Sequence, residues 1–205
     1  MLDSEGFDLW ADGYEQSVGL SDDDGSYPFA GYGRVLDRIR RRVLERGAPA
    51  VLDIGFGTAA LTAGLYARGC GIWGQDFSAR MIDLARAKMP SAHLYRGDFS
   101  RGLHPALVAR RYDFIIATYA LHHLEDGQKV RFIRSLLPLL KPGGQVLIGD
   151  VAFPDRTALE RCRAAYSDEW DDEEHYFVFD ELRGAFPGMS FEPVSHCAGV
   201  FTINP

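Results

Sequence analysis

The chain has 205 residues, with 22 Lys and Arg against 29 Asp and Glu, and a formal net charge of −7. That length suits a single domain with a substantial core, and the acidic balance gives no electrostatic reason to expect nucleic acid or an anionic membrane as a partner. Cys70, Cys162 and Cys197 are odd in number and widely spaced, which fits neither a disulfide framework nor a metal cluster. With no secretory signal and no membrane-length apolar run, a cytoplasmic location is expected.

Residues 1–30 carry Phe7, Trp10, Tyr14, Tyr27 and Phe29, interrupted by Asp22-Asp23-Asp24-Gly25. This opening is either a terminal helix packed on the core or a lid whose aromatics cover a pocket and exclude water. A helix is predicted over 32–46, with Val35, Leu36, Ile39 and Val43 on one face and Gly47 as its stop. Its Arg38, Arg40, Arg41 and Arg42 read as a solvated face, because no aromatic residue interleaves them.

The stretch that organises the chain is Val51-Leu52-Asp53-Ile54-Gly55-Phe56-Gly57-Thr58. It reads as a buried strand over 50–54 running into a glycine turn, after which Leu61 and Leu65 begin a helical pattern that Gly69 ends. Strand, glycine turn and helix form the front half of a nucleotide-binding crossover unit. Gly55 and Gly57 allow backbone to approach a ligand closely, and the helix is expected to aim its free N–H groups at the same spot. Asp53 lies inside the apolar strand, where a carboxylate is costly unless hydrogen-bonded. It is expected to accept bonds from the loop or to order water beside a ligand; the alternative is that it merely caps the turn.

A second strand is predicted over 71–74. Asp76 follows, at a distance from the glycine turn and at a strand end where an acid can accept hydrogen bonds from both ribose hydroxyls. Ser78 is the expected cap of the next helix, which buries Met81, Ile82, Ala85 and Met89 and stops at Pro90. A third strand over 93–96 leads to Gly97-Asp98-Phe99. Asp98 is either a simple turn acid or an acceptor for an adenine amino group, with Phe77 or Phe99 against the ring face.

The fourth strand, over 114–118, delivers Tyr119, His122 and His123 beyond its carboxyl end, where open α/β sheets bind their ligands. Adjacent side chains diverge, so at most one of the two histidines is expected to face the site. No further ligand follows at metal spacing, and no metal is expected. A helix over 128–140, with Val130, Ile133, Leu136, Leu137 and Leu140 inward, should break at Pro138. Lys141-Pro142-Gly143-Gly144 reads as a tight turn before a fifth strand over 145–149, with Asp150 just past it. Residues 155–186 read as mainly helical, and their acidic run over 168–174 is either a solvated face or one wall of a substrate pocket. Two last strands are expected over 191–194 and 200–203, with a turn around Ala198-Gly199. There are no internal repeats and no linker.

Taken together, this order of motifs resembles the class I S-adenosylmethionine (AdoMet)-dependent methyltransferases. Leu52-Asp53-Ile54-Gly55-Phe56-Gly57 is similar to that family's first motif, Gly74-Gln75-Asp76-Phe77-Ser78 to its ribose-binding segment and Gly97-Asp98 to its adenine-binding acid. The segment from Phe114 through Leu124 resembles its fourth-strand region, and Leu140-Lys141-Pro142-Gly143-Gly144 its turn before strand five. The opening Trp10-Ala11-x-x-Tyr14-x-x-Ser17-Val18, together with Asp150 through Arg156 and Ala158, is similar to a bacterial group of YrrT-like methyltransferases.

The resemblance implies a Rossmann-like, doubly wound α/β fold: a mostly parallel seven-stranded sheet, its last strand antiparallel, with helices on both faces. It implies AdoMet across the carboxyl ends of strands one to four. Asp53, Gly55 and Gly57 would meet the amino-acid end, Asp76 the ribose and Asp98 the adenine, with Phe77, Phe99 and Tyr14 completing the cofactor shell. Catalytic candidates are His123, His122 and Tyr119, then His175. One departure stands at Ala59, where the family commonly carries a third glycine.

The same loop also matches the dinucleotide fingerprint through Gly55, Gly57 and Ala60, which leaves a nicotinamide oxidoreductase as a rival reading. Against it, no Tyr in the chain has a Lys four residues later. A non-catalytic AdoMet-binding protein is the other rival. The chain lacks the Asp/Asn-Pro-Pro-aromatic segment of DNA amino-methyltransferases and the Pro-Cys pair of cytosine C5 enzymes. With the acidic charge, this points to a small-molecule acceptor rather than duplex nucleic acid.

Overall fold

The computed structural model describes residues 25–205. The expectations for Tyr14 and for most of the aromatic opening lie outside the described residues. From Gly25 onward, helices alternate with strands that assemble into one sheet, and periodicity shows why.

The strands are β1 (Ala50–Ile54), β2 (Gly71–Asp76), β3 (His93–Arg96), β4 (Tyr112–Thr118), β5 (Leu140–Phe153), β6 (Phe177–Val178), β7 (Met189–Pro193) and β8 (Ala198–Ile203). Their order in the sheet is β3-β2-β1-β4-β5-β8-β7, with the two-residue β6 pairing the far end of β5. Neighbours from β3 to β5 are parallel, while β8 runs antiparallel to both β5 and β7. The seven-strand, mostly parallel expectation therefore holds, with β6 added beside it.

The principal helices are α1 (Tyr32–Leu44), α2 (Thr62–Ala67), α3 (Ala79–Lys88), α4 (Pro105–Val108), α5 (Asp126–Leu136), α6 (Arg156–Ala165) and α7 (Phe179–Leu182). Side chains along a strand alternate between faces, and here each face meets its own core. Val51, Phe114, Ile116, Leu147 and Val151 pack with Val35, Ile39 and Val43 of α1 and with Ile82 and Ala85 of α3. Leu52, Ile54, Ile115, Ala117, Val146 and Ile148 pack with Ile133 and Leu136 of α5 and with Phe201 and Ile203 of β8. Strands buried on both faces are why β1 and β4 read as nearly continuous apolar runs.

The arginines of α1 lie on its outer side, where Arg38 pairs with Glu192 and Arg42 Nε donates to Gln145 Oε1 at 3.1 Å. The three cysteines are free and buried, and Cys162 and Cys197 come to lie side by side although thirty-five positions separate them.

Several boundaries differ from the sequence reading. The helix after the glycine loop is only six residues long and starts at Thr62, with a turn between it and Gly57. It therefore does not aim an extended helix N-terminus at the loop. In α5 the innermost position is Lys129, fully buried, with Val130 half-buried beside it. Lys129 Nζ donates to Asp126 Oδ1 at 2.8 Å and to the His175 carbonyl, and it lies 4.8 Å from the centre of the Phe177 ring. α5 ends at Leu136 and gives way to a 3-10 turn over Leu137–Leu139, as Pro138 requires.

Lys141-Pro142-Gly143-Gly144 is not a free turn. It is a loop within β5, opening a register shift between Tyr112↔Leu140 and Phe114↔Gln145, and Lys141 Nζ pairs with Asp113 Oδ2 at 2.7 Å. Residues 155–186 are less helical than expected, because α6 ends at Ala165 and β6 interrupts the rest. Ala198 and Gly199 belong to β8, and the reversal falls before them, where Val194 N donates to Ala198 O at 2.8 Å.

Candidate active site

The carboxyl ends of β1 to β5 open on one cavity of about 440 Å³, a size suited to one drug-sized ligand or more. Two sets of residues line it. One is the glycine-loop side, with Gly55, Phe56, Gly57, Asp76, Phe77 and Phe99. The other is built from Tyr27, Phe29 and Tyr32, the turn after β4, and the segment that ends in Tyr176.

The glycine loop is shaped by close approach. Gly55 takes φ 67°, and a methyl group there would stand 2.7 Å from Ala120 Cβ. Gly57 takes φ 52° with nothing within 4 Å of an added methyl, so the space beside it is open to a ligand. Both are backbone conformations that suit glycine. Ala59, the departure from the family's third glycine, also sits in the left-handed region at φ 63°, which is the physical reason a glycine suits this position.

Asp76 closes the loop. Its Oδ2 accepts the Gly57 N–H at 2.9 Å and its Oδ1 accepts the Ser78 N–H at 2.9 Å, while Ser78 Oγ caps α3 by accepting from Met81 N at 3.1 Å. Asp76 and Phe77 thus line the cavity as expected. Asp53 does not. It lies beneath the loop, fully buried, and its Oδ1 finds no hydrogen-bond partner among the described residues. Burial pushes its carboxyl up to about 7, the nearby Thr62 hydroxyl pulls it down, and the Asp76 charge raises it again. Neither the loop-accepting nor the capping role describes it.

Asp98 also falls outside the cavity lining. Its Oδ1 is engaged by Ser100 N at 2.9 Å and Ser100 Oγ at 2.6 Å, capping the 3-10 turn over Phe99–Arg101, and Arg101 pairs with its Oδ2. The geometry is that of the turn acid. Phe99, one residue on, does reach the cavity.

At the other side both histidines face in. His122 and His123 lie on the 3-10 turn Leu121–His123, their rings 4.2 Å apart and inclined at 67°, and both line the cavity together with Tyr119. The expectation that at most one would do so is corrected. A 3-10 turn advances each residue by roughly 120°, and the tilt between the rings brings both edges to the same opening. Tyr119 holds φ 49° at the end of β4, donating its N–H to Gly149 O at 2.8 Å.

His122 Nδ1 lies 2.6 Å from Asp150 Oδ1, and Asp150 is fully buried near the carboxyl end of β5. A carboxylate only accepts, so Nδ1 carries the hydrogen and Nε2 faces outward. Glu174 Oε1 stands 3.5 Å from that Nε2. Burial opposes charge on His122, but Asp150 and then Glu174 outweigh it and hold the imidazole above its ordinary range. His123 is pushed the other way, to about 4, by burial and by its charged neighbour.

Sequence reading missed the wall formed by Glu169, Asp171, Glu173, Glu174 and Tyr176 as a precise partner of the histidines, although the acidic run had been a candidate wall. Tyr27 stacks on Trp170 with centroids 5.2 Å apart at 11°, and its hydroxyl bonds the Tyr176 hydroxyl. His175, the fourth candidate, turns its side chain to solvent. Its backbone is what matters, since His175 N donates to His122 O at 2.8 Å.

Comparison with known proteins agrees with this architecture. Residues 51–144 match the family model described as a methyltransferase domain. An uncharacterized methyltransferase of Geobacillus kaustophilus is 36% identical over 193 residues, spanning 90% of this chain and 86% of that protein. The methyltransferase YrrT of Halobacillus halophilus is 28% identical over 193 residues, covering 91% and 87%. Among solved structures, DhpI in complex with S-adenosylhomocysteine (SAH) superimposes with a TM-score of 0.71 at 18% identity, covering 98% of this chain and 94% of that one. Magnesium protoporphyrin IX methyltransferase from Synechocystis, with bound SAH, gives 0.67 at 17%, covering 86% and 85%. On the strength of its relatives and its fold, the chain belongs to the class I AdoMet-dependent methyltransferase family, alongside the YrrT-like methyltransferases.

Proposed function

We propose that this methyltransferase transfers the methyl group of AdoMet to a small neutral or cationic molecule in the cytoplasm. The observation that carries the reading is the single cavity with two unlike ends: a glycine loop with a charged acid at one, and a pair of histidines under an aromatic and acidic wall at the other.

The loop end fits the donor. The open space at Gly57 admits backbone approach, Asp76 retains acceptor capacity beyond its two loop bonds, and Phe77 and Phe99 offer ring faces. Asp76 is therefore assigned to the ribose, and the adenine is assigned to Phe77 and Phe99 rather than to the side chain of Asp98. AdoMet supplies an activated methyl on sulfur, which leaves as the acceptor's lone pair forms the new bond and the electron pair returns to sulfur. The chain has to align the acceptor, exclude water and handle charge.

The acceptor end constrains charge. Asp76, Glu169, Asp171, Glu173 and Glu174 line the cavity, and no Lys or Arg does so among the described residues. A carboxylate or phosphate acceptor would meet repulsion without a cationic partner, and a nucleic-acid backbone more so. Tyr27 and Tyr176 line this end with Trp170 packed behind them, an aromatic wall that helps to exclude water. Tyr119, His122 and His123 stand where the acceptor's reactive atom would be received.

The test is calorimetric titration with AdoMet, SAH and NAD in parallel, followed by SAH release during incubation with neutral, cationic and anionic acceptor panels. Micromolar binding of the two adenosyl-sulfur ligands and turnover on neutral or cationic compounds are expected. Preference for NAD, or turnover confined to anionic acceptors, would overturn the reading.

A further inference from the structure

The two histidines and Glu174 are brought together from positions about fifty residues apart, and one imidazole nitrogen is left facing a carboxylate. Asp150 Oδ1 accepts both the His122 Nδ1–H at 2.6 Å and the Val151 N–H at 2.8 Å, which fixes the tautomer. The remaining nitrogen, Nε2, then faces Glu174 Oε1 at 3.5 Å. A cation belongs between them, either the imidazolium proton or a metal ion that displaces it. A shared proton calls for about 2.7–3.2 Å between the heavy atoms, and the observed gap is longer. Two donors bound at about 2.1 Å to one tetrahedral ion lie roughly 3.4 Å apart, which matches the gap.

We propose that His122, His123 and Glu174 bind a divalent transition-metal ion at the acceptor end of the cavity. The donor atoms of all three lie within 4.8 Å of one another, so small ring rotations complete the set. Two imidazoles and one carboxylate, leaving open positions, form a donor set that suits zinc, iron(II), cobalt(II) or manganese(II). It does not suit magnesium or calcium, which take oxygen ligands. Asp150 supplies the outer-shell partner that a metal-bound histidine requires, orienting the ring and making Nε2 more basic. Glu174 and the buried Asp150 offset the charge of a dication, and Glu169, Asp171 and Glu173 keep the acceptor end negative, so the preference against anionic acceptors stands.

Glu174 is held in place rather than left to chance. The His175 N–H bonds the His122 carbonyl at 2.8 Å, and buried Lys129 donates to the His175 carbonyl, so the backbone beside Glu174 is tied to the histidine turn on one edge and to α5 on the other. Tyr176, the next residue, is tied in turn to Tyr27 through their hydroxyls. A merely solvated acidic loop has no need of three such ties.

The use of the ion rests on the methyl-transfer reading given above. An acceptor hydroxyl or thiol that binds the ion would lose its proton to water more readily and keep a lone pair for the methyl carbon. His122 then acts as a ligand and not as a base.

The probe is Co²⁺ titrated into the metal-free full chain and followed by its visible absorption, with Zn²⁺ competing and Mg²⁺ as a control. Saturable one-to-one binding with absorption bands of low coordination number is expected, displaced by Zn²⁺ and not by Mg²⁺. His123→Ala and Glu174→Gln should each weaken Co²⁺ affinity at least about 10-fold, and Asp150→Asn about 10–100-fold. Thermal unfolding of Glu174→Gln, whose shape is unchanged, shows that the variant is folded. Absence of saturable binding, or binding that survives both His123→Ala and Glu174→Gln, overturns the site. AdoMet is titrated into the same samples. Binding of AdoMet without Co²⁺ overturns the metal site alone, whereas binding of Co²⁺ without AdoMet supports the site and overturns the methyl-transfer reading.

Discussion

Asp76 and Gly57 are joined by a hydrogen bond of 2.9 Å from the Gly57 N–H to Asp76 Oδ2, and Asp76 Oδ1 takes the Ser78 N–H at the same distance. One carboxylate therefore braces the glycine loop against the start of α3 while facing the cavity. Asp76→Ala removes both braces and the group assigned to the ribose. Hydrogen bonds to a charged partner contribute about 1.5–3 kcal/mol each, so AdoMet affinity is expected to fall at least about 10-fold. Calorimetric titration of the variant checks this, and an unchanged dissociation constant would remove Asp76 from the cofactor shell.

The two loop glycines should fail in different ways. Gly55→Ala combines left-handed strain with a methyl 2.7 Å from Ala120 Cβ. It is expected to lose more than the roughly 1–2 kcal/mol of strain alone, visible in urea unfolding. Gly57→Ala carries the strain without the collision, since nothing lies within 4 Å. Its methyl projects into the open space, so its loss should show chiefly in AdoMet affinity. Equal stability losses in the two variants would contradict this division.

Asp53 predicts a pH dependence. Its folded carboxyl titrates near 7, raised mainly by burial, against about 4 in the unfolded chain. Folding thus favours the protonated form. The stability of this group is intact below about pH 4, declines as pH rises through about 7, and stays low above it. The cost of ionising it in place is on the order of 4 kcal/mol. Asp53→Asn removes the titration. Its stability relative to the parent should climb from about pH 4 to about pH 7 and then level off in denaturant unfolding series, and a flat difference would show that Asp53 is not buried in this way.

The Tyr27–Trp170 stack backs the acceptor end of the cavity, which Tyr27 lines, and joins the segment before α1 to the loop before β6. Such a pair contributes about 0.5–1.5 kcal/mol beyond its buried area. If the wall must open for exchange, Trp170→Ala should speed SAH release about 2–10-fold, measured by stopped-flow displacement. An unchanged release rate would mean that this wall does not gate the cofactor.

Much of the fold was legible in the residues. The bounds of β1 and β3, the Ser78 cap, the break at Pro138 and the placing of Asp76 at a strand end all follow from local patterns of apolar spacing and turn chemistry. The misreadings have a common cause. The helical spacing turns Val130 inward, but the buried position is Lys129, surrounded by the His175 carbonyl and the Phe177 ring. Lys141 through Gly144 reads as a turn until β4 pairs on both sides of it.

By itself the sequence determined the strand–loop–helix alternation, the two-faced burial of the central strands and the end of the sheet on which the cavity opens. Those features repeat every two or about 3.6 residues and need only near neighbours to be expressed. Only the tertiary structure decided that both histidines share one opening, that Asp150 orients His122, and that Glu174 stands opposite Nε2. Those contacts join β4, β5 and a loop far along the chain. No local period encodes them, because they depend on how β5 packs beside β4 and how Lys129 pins the returning segment.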